Sequence, residues 1–574
     1  MKLKNIIRNI VCGLFIFGAS SCSDFLEIEP LNEIVLDKFW NEKSDVENVI
    51  ASCYSSMQSQ TVIDRMMAWG EFRSDNIIGG TNVEDDASLA NIFKENINAS
   101  NAYTTWGEFY YIINTCNTVI YYAPQVAEKD PSYTQSDLMA HIAEVSAIRD
   151  LMYFYLIRAF RDVPYTTTPY LDDTQEMAVA ATPFNAVLDS LITDLESVQS
   201  YAVKKYPTTK TYYQHGRITQ DAIHAMLADM YLWKQDYDNA IKYADMVIDA
   251  KTEDFQNEID QKAGNSSVYK MFEGYPLIDD KSTLGNFYGN AYDAIFGNGN
   301  SRESIFELIY MDNNNMLSNA AVSYRYGNSA TRIGYVRCAD FLGQDVSQEL
   351  FNKFKDKYDC RAYENISGSA SPFGIAKYSY KTATVSAGSS TISSILGEQY
   401  PEKYCHANWI IYRLTDVMLM KAEALVQKID ANNDNADYKA ERDSLLNGAY
   451  QIVNIIEKRS SCASTYTDVN YNSYSSKNLM ENLVMDERQK ELMFEGKRWF
   501  DLVRRSRRDG NTDYMTSCVT QKSSDNSSVI QAKLAKMDAI YWPYYIDELK
   551  VNPYLVQNSA FSSGENSSYK STTK

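Results

Sequence analysis

Histidine is scarce in this chain: four copies in 574 residues, His141, His215, His224 and His406, scattered far apart. No H-E-x-x-H pair can be drawn from them, and neither a phosphate-cradling glycine loop nor a G-x-S-x-G elbow appears. Proline and glycine are also thin, with 12 and 24 copies, so nothing reads as a flexible linker between domains. The chain is short of positive charge. Its 55 basic residues against 75 acidic ones leave a formal charge of −20, which excludes a basic face for a phosphate backbone, and nucleic acid is no expected partner. Nine cysteines show no C-x-x-C spacing, so neither a metal cage nor a dense disulfide framework is indicated, and no cofactor is expected.

What is abundant is tyrosine, at 44 copies in a chain that is 45% hydrophobic, enough for a sizeable core. Tyrosine suits amphipathic contact surfaces and ligand stacking, although many copies serve to pack helices.

The first 21 residues read as a signal peptide. "MKLKNIIRNIVCGLFIFGASSC" has a basic start, an apolar run over 9–17 too short to span a bilayer, and small residues leading to Cys22. The cleavage region is similar to a bacterial lipobox, with Ala19 where leucine is usual. That similarity implies processing before Cys22 and acylation there, which gives stable anchoring when two or more chains are attached.

Apolar positions recur at helical spacing over roughly 38–60, 104–122, 136–162, 184–202, 217–234, 237–250, 412–428, 437–457 and 478–506. The stretch "AIHAMLADMYLWKQDYDNAIKYADMVID" sets Ala225 and Ala228 against Ala240 and Ala244 across a Gln235-Asp236 turn, a close antiparallel pair with tetratricopeptide-like spacing. Four helical hairpins are expected, over about 38–250 and 412–506. Between 251 and 411 the chain turns rich in Gly, Asn, Ser and Tyr, with short alternating runs such as "ESIFELIY" that predict strands. The fold class predicted is mainly α: hairpins supporting a loop-rich lobe. So long an insert is expected to carry ligand contacts.

Residues 485–505, "MDERQKELMFEGKRWFDLVRR", hold five carboxylates and six bases. Met485, Leu492 and Trp499 recur every seven residues, and the charges find partners at i+3 or i+4: Asp486 and Glu487 with Lys490, Glu495 with Arg498, Asp501 with Arg504 and Arg505. Glu487 and Glu491 share a face. A glycosidase needs one carboxyl kept protonated across a cleft from an ionised one, whereas interleaved arginines hold both ionised, so the stretch reads as architecture. Gly496 is expected to end or bend the helix.

The same stretch resembles the C-terminal signature of the SusD-like (RagB/SusD) family, E-R-x-x-E-L-x-F-E-G-x-R-W-x-D-L-x-R, matched by Glu487, Arg488, Glu491, Leu492, Phe494, Glu495, Gly496, Arg498, Trp499, Asp501, Leu502 and Arg504. "SCSDFLEIEP", "WGEFYYIINTCNTVI", "EVSAIRDLMYFYLIRAFRDVPY", "GRITQDAIHAMLADMYLW" and "NPYLVQN" agree in order, so the resemblance spans nearly all of 22–574. In "WPYYIDEL", Tyr545 stands where the family usually has proline in a turn. The resemblance implies four tetratricopeptide hairpins, and a lipoprotein on the outer face of the outer membrane. Such a protein caps a SusC-like TonB-dependent transporter and captures oligosaccharide, or in some members peptide, without chemistry.

For a glycan, aromatic faces and hydrogen-bonding side chains are needed together. Trp69, Arg73, Asp75 and Asn76 are expected in a loop after the first helix, and Tyr288, Tyr292, Tyr324, Tyr326 and Tyr335 in the insert; loop packing is the plain alternative for each. A surface glycosidase and a tetratricopeptide adaptor gripping peptide are the competing functions.

Overall fold

A computed structural model describes residues 39–562 apart from short internal stretches, the longest being 263–269, 311–317 and 328–334; Cys22 lies outside the described residues. The helices begin where side chains can satisfy their first free N–H groups. Helix α1 (Lys43–Met57) opens on a reciprocal Glu42/Asp45 box, and Ser59 caps α2 (Gln60–Met67). Helix α3 (Gly107–Lys129) is followed by α4 (Gln135–Phe160), capped by Thr134, then by α5 (Phe184–Val198).

The predicted tight pair is α6 (Gln220–Lys234) and α7 (Tyr237–Gln261). Gln235 adopts the left-handed conformation that stops the first helix, and Asp236 accepts from the Asn239 N–H to start the second. Ala225, Ala228, Ala240 and Ala244 are all buried between them. Helix α7 runs to Gln261, so the irregular lobe begins about ten residues later than the sequence suggests. Helices α8 (Leu414–Gln427) and α9 (Ala436–Ser460) form the next pair. Each helix packs on a neighbour: α1 on α3, α3 on α4, α4 on α5, α6 on α7, α7 on α8, α8 on α9. No helix among the described residues is long and apolar enough to cross a membrane.

The insert contributes short antiparallel strands. Ser304–Leu308, inside the predicted "ESIFELIY" run, pairs with Trp409–Arg413, so the stretch expected to begin a helix at 412 is still strand and α8 starts at Leu414. Ile77–Gly79 pairs with Val336–Cys338, tying the N-terminal region to the insert. Residues 485–505 make two helices. Helix α10 (Lys477–Leu492) stops as Met493 turns extended and Phe494 and Gly496 take positive φ (+69° and +71°); α11 (Arg498–Asp509) then begins. The seven-residue apolar stripe is therefore buried on two helices separated by an elbow.

Candidate ligand-binding surface

Most charges of 485–505 are buried, although Asp486 and Arg498 border a concavity of about 580 Å³. Glu491 meets Arg361 (2.9 Å), Arg413 (2.7 Å) and Arg459; Glu495 meets Lys377 and Arg413, both at 2.7 Å. Arg488 and Arg504 both bind Asp501 (2.9 Å). Of the expected local pairs, Glu487–Lys490 (2.7 Å) and Asp501–Arg504 form, but the others are displaced by distant partners. Asp486 pairs with Lys353, Arg498 with Asp75 and Arg505 with Glu481. Burial alone would raise the carboxyl pKa values, but Arg361 and Lys490 hold Glu487 below the usual range, and Arg459, Arg413 and Arg361 hold Glu491 well below it. Neither can serve as a protonated general acid at neutral pH.

This charged core claims most of the side chains expected to touch ligand. Trp69 is not in a loop: α2 continues as a π-helical turn, Ala68–Phe72, in which Trp69 is fully buried. Its indole N–H donates to the Tyr103 carbonyl (2.8 Å), and Phe109 and Phe160 pack on its ring. Arg73 is buried against Glu95 (2.8 Å) and the carbonyls of Ala539 and Ile540, its guanidinium 4.2 Å above the Trp499 ring. Asp75 is clamped by Arg498, and Asn76 bridges Glu71 (2.6 Å) to Gln489 (2.8 Å). Tyr288 and Tyr326 are buried, and the Tyr292 hydroxyl donates to the Ala376 carbonyl (2.9 Å) from within the core. These seven are at most 6% exposed, which leaves little of their surface for a ligand; Asp75 alone among them borders the 580 Å³ concavity.

Tyr324 and Tyr335 remain. Tyr324, on the short helix Ala320–Tyr326, is 40% exposed; Tyr335 precedes the Val336–Cys338 strand and is half-buried. Their ring centroids lie 5.1 Å apart at 34°, and the two hydroxyls share a hydrogen bond that contributes most to raising the Tyr324 pKa. Arg325 stacks 4.8 Å from the Tyr324 ring, pinned by Asp64 (2.9 Å) and facing Asp86 at 3.6 Å. The Gly80 N–H donates to the Tyr335 carbonyl (3.1 Å), bringing the exposed Asn82 turn alongside. The result is a fixed aromatic pair with polar groups at its edge, the composition that fits one face of a sugar ring and its hydroxyls.

A second concavity, of about 480 Å³, was not legible in the sequence, since its walls come from 106–117, 164–179 and 548–555. Trp106, Tyr110 and Tyr170 line it, but its amides are occupied: Asn114 bonds both backbone groups of Tyr170, and Asn117 bonds Arg149 and the Thr166 carbonyl. Tyr545 holds φ at −64°, a proline value, so the turn where the family usually has proline keeps its shape.

Residues 302–561 match the family model described as SusD family, and residues 24–232 match one described as starch-binding associating with outer membrane. Two SusD-like proteins of Formosa agariphila are 24% and 22% identical, over 97% and 98% of this chain and 99% and 100% of theirs. Among solved structures, SusD superfamily proteins from Bacteroides vulgatus and Bacteroides thetaiotaomicron superpose with TM-scores of 0.63 at 16% and 19% identity, covering 91% and 92% of this chain and all of each of theirs. A laminarin-binding SusD-like protein superposes at 0.59 with 19% identity, over 91% of this chain and all of its own. The likeness in fold, the two matched segments and the signature elbow buried at the centre of the molecule agree: this chain belongs to the SusD-like (RagB/SusD) family.

Proposed function

We propose that the protein is a cell-surface lipoprotein of the outer membrane that captures oligosaccharide and passes it to a SusC-like TonB-dependent transporter. The observation that carries this reading is the Tyr324–Tyr335 pair, two partly exposed rings held at stacking distance by structure beneath them. The laminarin-binding neighbour and the starch-binding description of the matched family are in keeping with a glycan ligand. Binding without chemistry is in keeping with the charge placement, because the signature carboxylates Glu487 and Glu491 are held ionised by buried arginines. A glycan array probed with the chain from residue 23 onward tests it: selective binding lost in the Tyr324→Ala, Tyr335→Ala double variant is expected. Release of shortened sugars, or binding of peptides alone, overturns it.

A further inference from the structure

Three buried side chains that the family signature does not use converge where the insert meets the end of α9. Asp280 lies before the Phe287–Tyr288 strand, and Cys360 and Glu364 lie at either end of the short helix Arg361–Glu364. One ligating atom from each, two carboxylate oxygens and a sulfur, falls within 4.8 Å of the others. Cys462, just beyond α9, neighbours Cys360 across the Asp359–Ser461 bridge but stands outside that cluster. All four are at most 5% exposed.

The carboxylates point to a ligand of their own. Asp280 spends Oδ1 on the N–H groups of Gly289 (3.2 Å) and Ala291 (3.0 Å), while its Oδ2 and the Glu364 Oε1 are buried with no donor to satisfy them. The two carboxyl groups face each other, an arrangement that needs either a shared proton or a cation. They also line an internal cavity of about 30 Å³, enough for a single water or ion. We propose that Asp280, Cys360 and Glu364 bind a divalent zinc-class ion that fastens the loop-rich lobe to the helical body.

The donor set selects the ion. Calcium and magnesium take oxygen cages, whereas a thiolate beside two carboxylates suits zinc, with bonds of about 2.3 Å to sulfur and about 2.0 Å to oxygen and a fourth position left for water. Arg459 lies close enough to both carboxylates to act on their charge, offsetting part of the negative charge of the ligands. Zinc takes the sulfur as thiolate, so its uptake releases a proton into solution.

Metal analysis of the purified mature chain equilibrated with zinc is expected to find one ion per chain. Cobalt substitution is expected to give a thiolate-to-cobalt charge-transfer band that Cys360→Ser abolishes. Asp280→Asn should weaken zinc retention by about 100-fold or more. If that variant does not fold, the cobalt spectrum of the unaltered chain decides alone. Folded protein that takes up no zinc and shows no such band overturns the proposal, as does a Cys360–Cys462 disulfide found by mass spectrometry.

Discussion

Trp499 and Tyr324 are both aromatic, yet truncating them has opposite consequences. Trp499 is fully buried, carries Arg73 on its face and donates its indole N–H to the Ile540 carbonyl (3.2 Å). Trp499→Ala is expected to lose about 3–5 kcal/mol of stability in chemical denaturation, as large core truncations do. Tyr324→Ala removes a ring that is already partly in water, so stability should move by less than about 1 kcal/mol. If it stacks on sugar, binding should weaken by about 1–2 kcal/mol, read by calorimetric titration. Glu71 makes a third case. Its carboxylate accepts the N–H groups of Phe494 (3.1 Å), Gly496 (3.1 Å) and Lys497 (3.2 Å), so the near-isosteric Glu71→Gln turns an amide donor onto donors and should cost about 2–3 kcal/mol.

At the scale of elements, the α10–α11 elbow docks on the π-helical turn after α2, and two glycines make the approach possible. A Cβ on Gly70 would overlap the Gly496 carbonyl, while Gly496 itself needs φ of +71°. Gly70→Ala is therefore expected to cost about 3 kcal/mol or more, measured by its thermal midpoint. The ion pairs give the elbow a pH dependence of known sign. Burial opposes the ionised form of Asp501, but Arg488 and Arg504 bring its pKa from 3.8 down to about 2. A depressed carboxyl stabilises the fold above its unfolded pKa and loses that contribution as pH falls through the folded one. The stability gap between the unaltered chain and Asp501→Asn should thus narrow by about 2 kcal/mol as pH drops from about 4 to 2. These elements also show what a sequence can disclose. The hairpin at Gln235-Asp236, the break at Gly496 and the strand in "ESIFELIY" were legible because apolar period and turn chemistry are local. The burial of Trp69, Arg73 and Asp75 was not, because "MAWGEFRSDNIIGG" has the polarity of a loop and its partners are not local: Glu95, which pairs with Arg73, lies 22 residues on, and Arg498 and the Ala539 carbonyl more than 400. The same holds for the proposed metal-ligand cluster, whose members lie at 280, 360 and 364. Of the five tyrosines expected to meet ligand, Tyr324 and Tyr335 keep surface in reach of solvent, but sequence could not tell them from Tyr326, two residues along the same short helix as Tyr324 and buried.

For the whole molecule, the expected attachment to a membrane rests on a single thiol. Cys22→Ser removes the acceptor for acyl chains, so the variant should leave the membrane fraction and lose acyl labelling while keeping its melting temperature; retention in the pellet with intact labelling would refute the anchor. Folding as a whole depends on both ends of the chain. Glu71 and Asp75 find their distant partners in 489–498, and Arg73, already paired with Glu95, gains the carbonyls of 539–541. During synthesis, the carboxylates of Glu71 and Asp75 therefore emerge long before Arg498 and the 494–497 N–H groups that complete their sites. A chain interrupted before Glu495 lacks the Gly496 and Lys497 N–H groups and Arg498, so it should be cleaved by protease faster than the full-length chain. The closing elbow acts as a receipt for a complete chain: the buried carboxylates of Glu71 and Asp75 are fully satisfied only once 494–498 has been made.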